Sequence, residues 1–196
     1  MKRILLTVAA AFAMVGAWAQ TAETGTVFKN QVLFSPPFLI ENTFMVSYER
    51  IFPTKGALRI TPSVTLSNVE NSIFWDKERE GWKIDVGYKA FLIEKGDFVK
   101  LNVYLGPYAM YRYLKNYANY YDSYYGKEEN EIYNILGAGV DAGAKLTIAR
   151  FVVDFSFGGG VRYPIGIVGS ETATSIFSDN YKGITPRANL SLGIAF

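Results

Sequence analysis

The chain has 196 residues, of which 49% are hydrophobic and 16% aromatic. A hydrophobic content this high excludes general disorder, and the length suits a single domain. The 20 basic and 18 acidic residues nearly balance, so the basic surface that binds nucleic acid is not expected. The chain has no cysteine, which excludes disulfides, thiol catalysis, Cys-bound metal and a lipid-modified N-terminal cysteine.

Residues 1–19 have the order of a secretory signal peptide. Lys2 and Arg3 precede an apolar run that ends at Gly16, and Ala17-Trp18-Ala19 supplies a small-x-small cleavage site. The run is too short for a transmembrane helix, which needs about 20 residues. We therefore expect cleavage before Gln20. Losing Lys2 and Arg3 takes the basic count from 20 to 18, equal to the acidic count. Residues 20–196 are expected to form one domain.

Eight segments of that domain alternate apolar and polar residues with a period of two, which is typical of strands with two different faces. The first is the weakest, and Ser35-Pro36-Pro37 ends it because proline cannot donate to a ladder. The predicted strands are Thr26–Phe34, Thr43–Phe52, Leu58–Asn68, Trp82–Ile93, Phe98–Arg112, Ile132–Ile148, Phe151–Arg162 and Ile184–Phe196.

The connections between these segments alternate in length. Short connections fall near 53–57, 94–97 and 149–150, and longer ones near 69–81, 113–131 and 163–183. An even-stranded outer-membrane barrel with both termini in the periplasm has this split of short turns and long outer loops. Residues 35–42 are the short exception among the outer loops. The pattern predicts an up-and-down antiparallel barrel.

The two faces of each strand favour a membrane barrel over a soluble one. A soluble barrel points its apolar face inward, whereas a membrane barrel inverts this arrangement. The apolar faces carry almost no charge at their middle, and the polar faces are rich in glycine, which suits a narrow lumen. Aromatic residues gather at strand ends, as interfacial girdles do. They are Phe52, Phe151 and Phe196 on the turn side and Trp82 and Tyr111 on the loop side.

The signal sequence, the eight strands, the loop alternation and the terminal Phe196 look like the small eight-stranded outer-membrane barrels of the OmpA/OmpX type. Ser47-Tyr48-Glu49-Arg50, after Phe34-Ser35-Pro36, also resembles an uncharacterised outer-membrane barrel family of Bacteroidetes-type bacteria. This resemblance implies a transmembrane barrel in the outer membrane of a Gram-negative bacterium, in contact with lipid and lipopolysaccharide. It also suggests that the barrel-assembly machinery reads Phe196, so a charged residue there should lower surface levels. It carries no catalytic residue.

Charged residues on the polar faces form the candidate lumen network. Eight strands leave an interior just filled by side chains, so these charges must pair. If Ala149-Arg150 is a two-residue turn, Lys145 lies opposite Asp154. A structural ion-pair plug is favoured over a proton or ion path. The candidates are Glu49, Arg59, Lys83, Asp85, Lys89, Lys100, Asp141, Lys145, Asp154, Arg162 and Arg187.

A tyrosine-rich segment from Tyr111 to Tyr125 holds half of the chain's 14 tyrosines and is predicted to be mostly an outer loop. Tyrosine suits recognition surfaces, but the same composition suits an interfacial belt on strands that extend beyond the membrane. The candidates for surface contact are Tyr113, Tyr117, Tyr120, Tyr121, Tyr124 and Tyr125.

The chain also has no histidine, so Ser-His and Asp-His catalytic arrangements are impossible. We predict no catalytic residue, no cofactor and no metal site. Gly158-Gly159-Gly160 is not a phosphate loop, because it lacks a following Lys-Ser/Thr pair and helix. The expected function is that of a monomeric, non-enzymatic outer-membrane barrel with an envelope-structural or surface-contact role. The alternatives are a narrow channel or transport-associated barrel and, third, a lipid-modifying enzyme.

Overall fold

The computed structural model describes residues 28–66, 78–96, 99–117, 130–168 and 181–196. Within these ranges the chain forms eight strands and one 3-10 helix, Pro36–Glu41. The strands are β1 Asn30–Phe34, β2 Thr43–Phe52, β3 Gly56–Thr65, β4 Glu78–Lys95, β5 Val99–Tyr117, β6 Asn130–Ile148, β7 Phe151–Val168 and β8 Gly183–Ala195. No helix in the described ranges is long and apolar enough to cross a membrane.

Each strand pairs antiparallel with the next, and β8 pairs with β1 to close the barrel. The predicted all-β, eight-stranded antiparallel barrel is therefore confirmed. At the seam, the backbone amide of Asn30 donates to the carbonyl of Phe196 over 3.0 Å, and the amide of Phe196 donates back over 2.9 Å. The ladder between β1 and β8 covers Gln31–Phe34 and Leu192–Ala195.

Burial alternates along the strands and separates two chemically different surfaces. On β6 and β7 the outward side chains of Val140, Phe155 and Phe157 are exposed, whereas Lys145 and Asp154 are 0% and 1% exposed. Charged residues therefore lie inside the barrel and large apolar residues lie outside. A soluble barrel has the opposite arrangement.

The structure corrects several predicted strand bounds. β4 begins at Glu78, β5 extends to Tyr117 and β7 extends to Val168, so these strands enter segments that were predicted to be loops. The β5 and β7 extensions contain tyrosine or β-branched residues, which favour strands. The β4 extension pairs with the extended end of β5. In the opposite direction, β3 ends at Thr65 rather than Asn68, and 3-10 helix occupies most of the predicted loop after β1.

The start of the first strand also differs from the prediction. β1 begins at Asn30 rather than Thr26, and Phe28 does not continue the outward face. It packs instead against an interior cluster of Leu33, Val152 and Ala195. The guanidinium of Arg150 lies 5.6 Å from the centre of the Phe28 ring. Phe28 thus helps to close the barrel at the end where the short turns lie.

Candidate functional site in the barrel lumen

Five charged side chains form what we call the turn-side cluster, near the short connections. They are Glu49 on β2, Arg59 on β3, Lys89 on β4, Lys145 on β6 and Asp154 on β7. All five are buried. A buried charge is costly unless it is paired, so the contacts among these residues decide whether the barrel tolerates them.

Both carboxylates of the turn-side cluster bind several cations. The Glu49 carboxylate accepts a hydrogen bond from Arg59 Nε over 3.1 Å and pairs with Lys89 Nζ at 3.0 Å and with Lys145 Nζ. The Asp154 carboxylate pairs with Arg59 and Lys89, and the Tyr104 hydroxyl donates to it over 2.7 Å. Each cation therefore contacts at least one carboxylate, which compensates its burial.

Lys145 shows which part of this network the sequence could predict. The β6–β7 register places Lys145 opposite Asp154, as the two-residue turn predicts, and Ala149 in that turn is left-handed with φ 52°. The Lys145 ammonium nevertheless pairs with Glu49 on β2. In a narrow barrel a long lysine side chain reaches across the lumen, so register alone does not fix its partner.

Apolar and aromatic side chains pack around the turn-side cluster. Ala57, Phe91 and Tyr104 form one buried group, with Ile51 packed against it. The Phe91 ring centre lies 5.2 Å from Lys145 Nζ, and the Tyr104 ring centre lies 4.1 Å from Lys89 Nζ. Aromatic faces at these distances attract a cation. One aromatic ring therefore lies against each of these two buried ammonium groups.

A second set of charges lies farther from the turns. Asp85 pairs with Lys83 Nζ at 2.9 Å, and Arg187 Nη1 donates to Asp85 over 3.0 Å. Asp141 is 3.4 Å from Arg187 Nε, and the Arg187 guanidinium lies 4.2 Å from the Tyr108 ring centre. Between this set and the turn-side cluster is a cavity of about 30 Å³. A cavity of this size has room for an ordered water molecule, which needs at least about 10–15 Å³.

The outer half of the lumen contains a larger cavity, which we call the outer cup. Its volume is about 240 Å³. Four basic side chains and several hydroxyl groups line it. The polar lining residues are Thr43, Ser63, Thr65, Lys83, Tyr108, Arg112, Arg162, Thr185, Arg187 and Asn189. Phe38, Met45, Met110, Pro186 and Ala188 complete the wall.

The predicted network therefore divides into separate groups. Glu49, Arg59, Lys89, Lys145 and Asp154 form the turn-side cluster, and Lys83, Asp85, Asp141 and Arg187 lie beyond it. Arg162 lines the outer cup together with Lys83 and Arg187. Lys100 is a correction, because it belongs to none of these groups. It pairs with Glu94 at 3.0 Å at the turn-side end of β5, and its side chain is 41% exposed. Because Lys100 is the second residue of β5, its ammonium lies at the turn-side mouth of the barrel and reaches water.

Sequence reasoning did not identify several lumen side chains. Tyr104 contacts Asp154 and Tyr108 contacts Arg187, although neither tyrosine was among the predicted lumen residues. Arg112 is an even number of residues from Tyr104 and Tyr108 on β5, so the alternation of the strand could have predicted that it faces the lumen. The apolar interior cluster near the outer end, formed by Met110, Leu114, Tyr133 and Ile135, breaks the polar-inside rule and had no signal in the alternation.

The tyrosine-rich segment is only partly a loop. Tyr113 and Tyr117 belong to β5, which corrects their assignment to an outer loop. The Tyr113 ring stacks near Trp82 with centroids 6.5 Å apart, and Tyr111 lies 5.2 Å from the same ring. Extension of the strand lets these rings pack on the barrel wall. The remaining candidates, Tyr120, Tyr121, Tyr124 and Tyr125, lie outside the described residues.

Comparison of the chain with protein-family models, with curated proteins and with solved structures finds no match in any of the three. In the described part of the chain, no three acidic side chains come together as a metal site would require.

Proposed function

We propose that this chain is an integral barrel of the bacterial outer membrane, with a non-enzymatic role in envelope structure or surface contact. The observation that carries the proposal is the inverted polarity of the wall. Val140, Phe155 and Phe157 expose 48%, 52% and 62% of their surface on the outside of a barrel whose interior holds paired charges. In water this would leave a large apolar surface exposed, which soluble monomers avoid. Lipid removes that cost.

The spacing of aromatic residues fits a bilayer. Phe151 and Tyr163 are exposed at opposite ends of the outward face of β7. They are separated by roughly 40 Å along the strand, or about 30 Å along the barrel axis at a tilt of roughly 40°. The hydrocarbon core of a bilayer is about 30 Å thick. Phe52 and Phe196 on the turn side, and Trp82 on the loop side, are also exposed. They add to the aromatic residues at the two ends of the barrel wall.

The turn-side cluster favours a structural role over a channel. Its five charged side chains are at most 8% exposed and, together with the apolar groups around Phe91 and Phe28, they occupy the lumen near the short turns. Eight-stranded barrels of this kind have interiors that side chains fill. A solute could pass only if the paired charges separated, which would leave them buried and unpaired.

Two measurements on the protein test placement and passage. A folded outer-membrane barrel resists detergent at room temperature, so we expect faster gel migration before boiling than after it, and recovery in the outer-membrane fraction. Identical mobility in both lanes, or recovery in the soluble fraction, would contradict a membrane barrel. Vesicles containing the barrel should not swell in small sugars. Swelling would support the channel alternative instead.

The non-enzymatic part of the proposal has its own test. With no histidine in the chain, the usual base of hydrolytic enzymes is absent. Mass spectra of lipid A should therefore be identical from cells with and without the protein. A covalent change that depends on the protein would overturn this part while leaving the barrel intact.

A further inference from the structure

We propose that the outward face of the barrel binds one anionic glycerophospholipid at its turn-side end, with the lipid phosphate held by Arg50. This inference rests on the proposed function, because it requires that the wall meets a bilayer, and it adds a partner of stated chemistry. The site lies outside the lumen, where the ends of β1, β2 and β3 meet Phe196.

Arg50 is an isolated charge on an apolar surface. The alternation of β2 puts Tyr48, Arg50 and Phe52 on the outward face, and all three are exposed. On the described strands β1, β2, β3 and β8, no other charged residue has an outward position. A charged side chain on the lipid face of a barrel is costly at the bilayer midplane and much less so near the interface. Arg50 is two residues from the end of β2, which suits the interface.

A small hydrogen-bond network holds the guanidinium in place. Arg50 Nη1 donates to Asn30 Oδ1 over 2.6 Å, and the Tyr48 hydroxyl donates to the same oxygen over 2.8 Å. Asn30 lies opposite Arg50 in the strand register, and its Nδ2 donates to the Phe196 main-chain oxygen over 3.5 Å. Asn30 is therefore a positioning residue for Arg50. Ordering a binding group before its ligand arrives lowers the cost of binding.

Most donors of the Arg50 guanidinium remain available for a ligand. The group has five N–H donors, and the described residues supply one acceptor, the neutral amide oxygen of Asn30. Within the described residues no carboxylate, that of Phe196 included, forms an ion pair with Arg50. An arginine can donate two parallel hydrogen bonds to one phosphate group. A lipid phosphate would therefore give this cation the anionic partner that the described protein groups do not.

The neighbours of Arg50 suit the remainder of a lipid molecule. Phe52 and Phe196, which are 36% and 56% exposed, provide aromatic rings of the kind that collect at the level of lipid headgroups. Val32 and Ile60 are exposed one row farther from the turns. An acyl chain that leaves a phosphate at Arg50 toward the middle of the wall would run over these two apolar side chains.

Other charges at this end favour an anionic headgroup over a zwitterionic one. Lys29, Lys55 and Lys95 are exposed there, and none of them forms an ion pair within the described ranges. Glu94, at the same end, already pairs with Lys100. Basic groups near a membrane surface attract anionic lipid. If the short turns face the periplasm, lipopolysaccharide lies in the opposite leaflet, so the partner is a glycerophospholipid such as phosphatidylglycerol.

The direct test is native mass spectrometry of the full barrel in detergent, titrated with phosphatidylglycerol or with phosphatidylcholine of the same acyl chains. Wild type should bind one phosphatidylglycerol more tightly than phosphatidylcholine, and the preference should shrink as ionic strength rises. Arg50→Gln should weaken phosphatidylglycerol binding about tenfold, since it removes charge-assisted hydrogen bonds. The matched control is Lys95→Gln, which removes one positive charge at the same end and should bind as wild type does.

Two further variants separate a positioned site from a general attraction. Arg50→Lys keeps the charge but loses the paired donors, so it should recover only part of the affinity. Asn30→Ala keeps the guanidinium but loses the acceptor that orients it, so it should weaken binding less than Arg50→Gln. Unchanged affinity in Arg50→Gln, or an equal loss in Lys95→Gln, would overturn the proposal.

Insertion into vesicles and heat-modifiable migration are measured first for every variant. A wild-type barrel that inserts but binds both lipids equally would overturn the lipid site and leave the membrane location intact. Failure to insert would overturn both. Binding of lipid A without binding of phosphatidylglycerol would also overturn the proposal, because the partner would then belong to the other leaflet.

Discussion

The two halves of the lumen are built on the same strands, yet they differ in how their charges are balanced. β4 contributes Lys89 to the turn-side cluster and Lys83 to the outer cup. In the turn-side cluster three cations share two carboxylates and fill the space between them. In the outer cup four cations surround a cavity of about 240 Å³. Inward-facing charged side chains therefore fill the lumen in the turn-side half, whereas in the outer half they line a cavity.

The largest effect should come from removing a shared carboxylate of the turn-side cluster. Asp154→Ala leaves Lys89 with one carboxylate partner instead of two and deprives Arg59 and the Tyr104 hydroxyl of contacts. Because the charges left behind remain buried, the free energy of unfolding should fall by about 3–5 kcal/mol. Urea unfolding of the refolded barrel, followed by tryptophan fluorescence, measures this change.

Asp141→Ala is the matched control in the outer half. Asp141 is 17% exposed by its side chain and contacts Arg187 at 3.4 Å, so its removal should cost only about 1 kcal/mol. Equal losses of unfolding free energy in the two variants would contradict the distinction between a filled turn-side half and an open outer half. A loss confined to Asp154→Ala would support it.

An intermediate effect is expected at Gly143, which makes room for the turn-side cluster. A Cβ at Gly143 would lie 2.5 Å from the Tyr104 hydroxyl, which donates to Asp154, and 2.5 Å from the backbone carbonyl of Phe155. Gly143→Ala should lower the free energy of unfolding by about 1–3 kcal/mol through overpacking.

Gly87 provides the comparison for this substitution. It lies on β4, and a Cβ there would meet its nearest neighbour at 3.5 Å, an ordinary contact. Gly87→Ala should change stability by no more than about 0.5 kcal/mol. Chemical denaturation of both variants under one set of conditions measures the difference in their free energies of unfolding. A tolerated alanine at Gly143 would mean that the turn-side half is less tightly filled than the distances indicate.

The smallest effect should be at Lys83, in the outer cup. Lys83→Gln removes the ion pair between Lys83 and Asp85, while Asp85 keeps Arg187 as its partner. Because the Lys83 side chain is 20% exposed, the free energy of unfolding should fall by only about 0.2–1 kcal/mol. Thermal or urea unfolding gives the value. A loss of more than 1 kcal/mol would show that Lys83 is structural and that the two halves resemble each other.

The sequence predicted the architecture better than the site, for physical reasons that individual residues illustrate. Alternation depends on which face meets which solvent, so the outward position of Val140 and the inward position of Asp154 could be predicted. Turn length fixes register, so Lys145 could be placed opposite Asp154. The pairing of Lys145 with Glu49 could not be predicted, because it depends on barrel diameter and on side chains from distant strands.

The ends of the strands were harder to predict than their middles. Tyr113 continues β5 and packs near Trp82, although the surrounding composition resembles a recognition loop. Tyrosine serves both strands and loops, so composition alone cannot separate them. Tyr133 and Ile135 face the interior of the same region as part of an apolar cluster. The face of β6 on which these two side chains lie could be predicted only from the register of β5 and β6.

The central claim, a lipid-facing wall around a polar lumen, is tested most directly by labelling one position at a time. The chain has no native cysteine, so single variants can carry a spin label without background. In vesicles, labels at V140C and F155C should be accessible to oxygen, which concentrates in the bilayer. Labels at the neighbouring D141C and S156C should be protected from it. An alternation of this kind supports the membrane barrel, whereas contact of V140C and F155C with a water-soluble relaxation agent would contradict it.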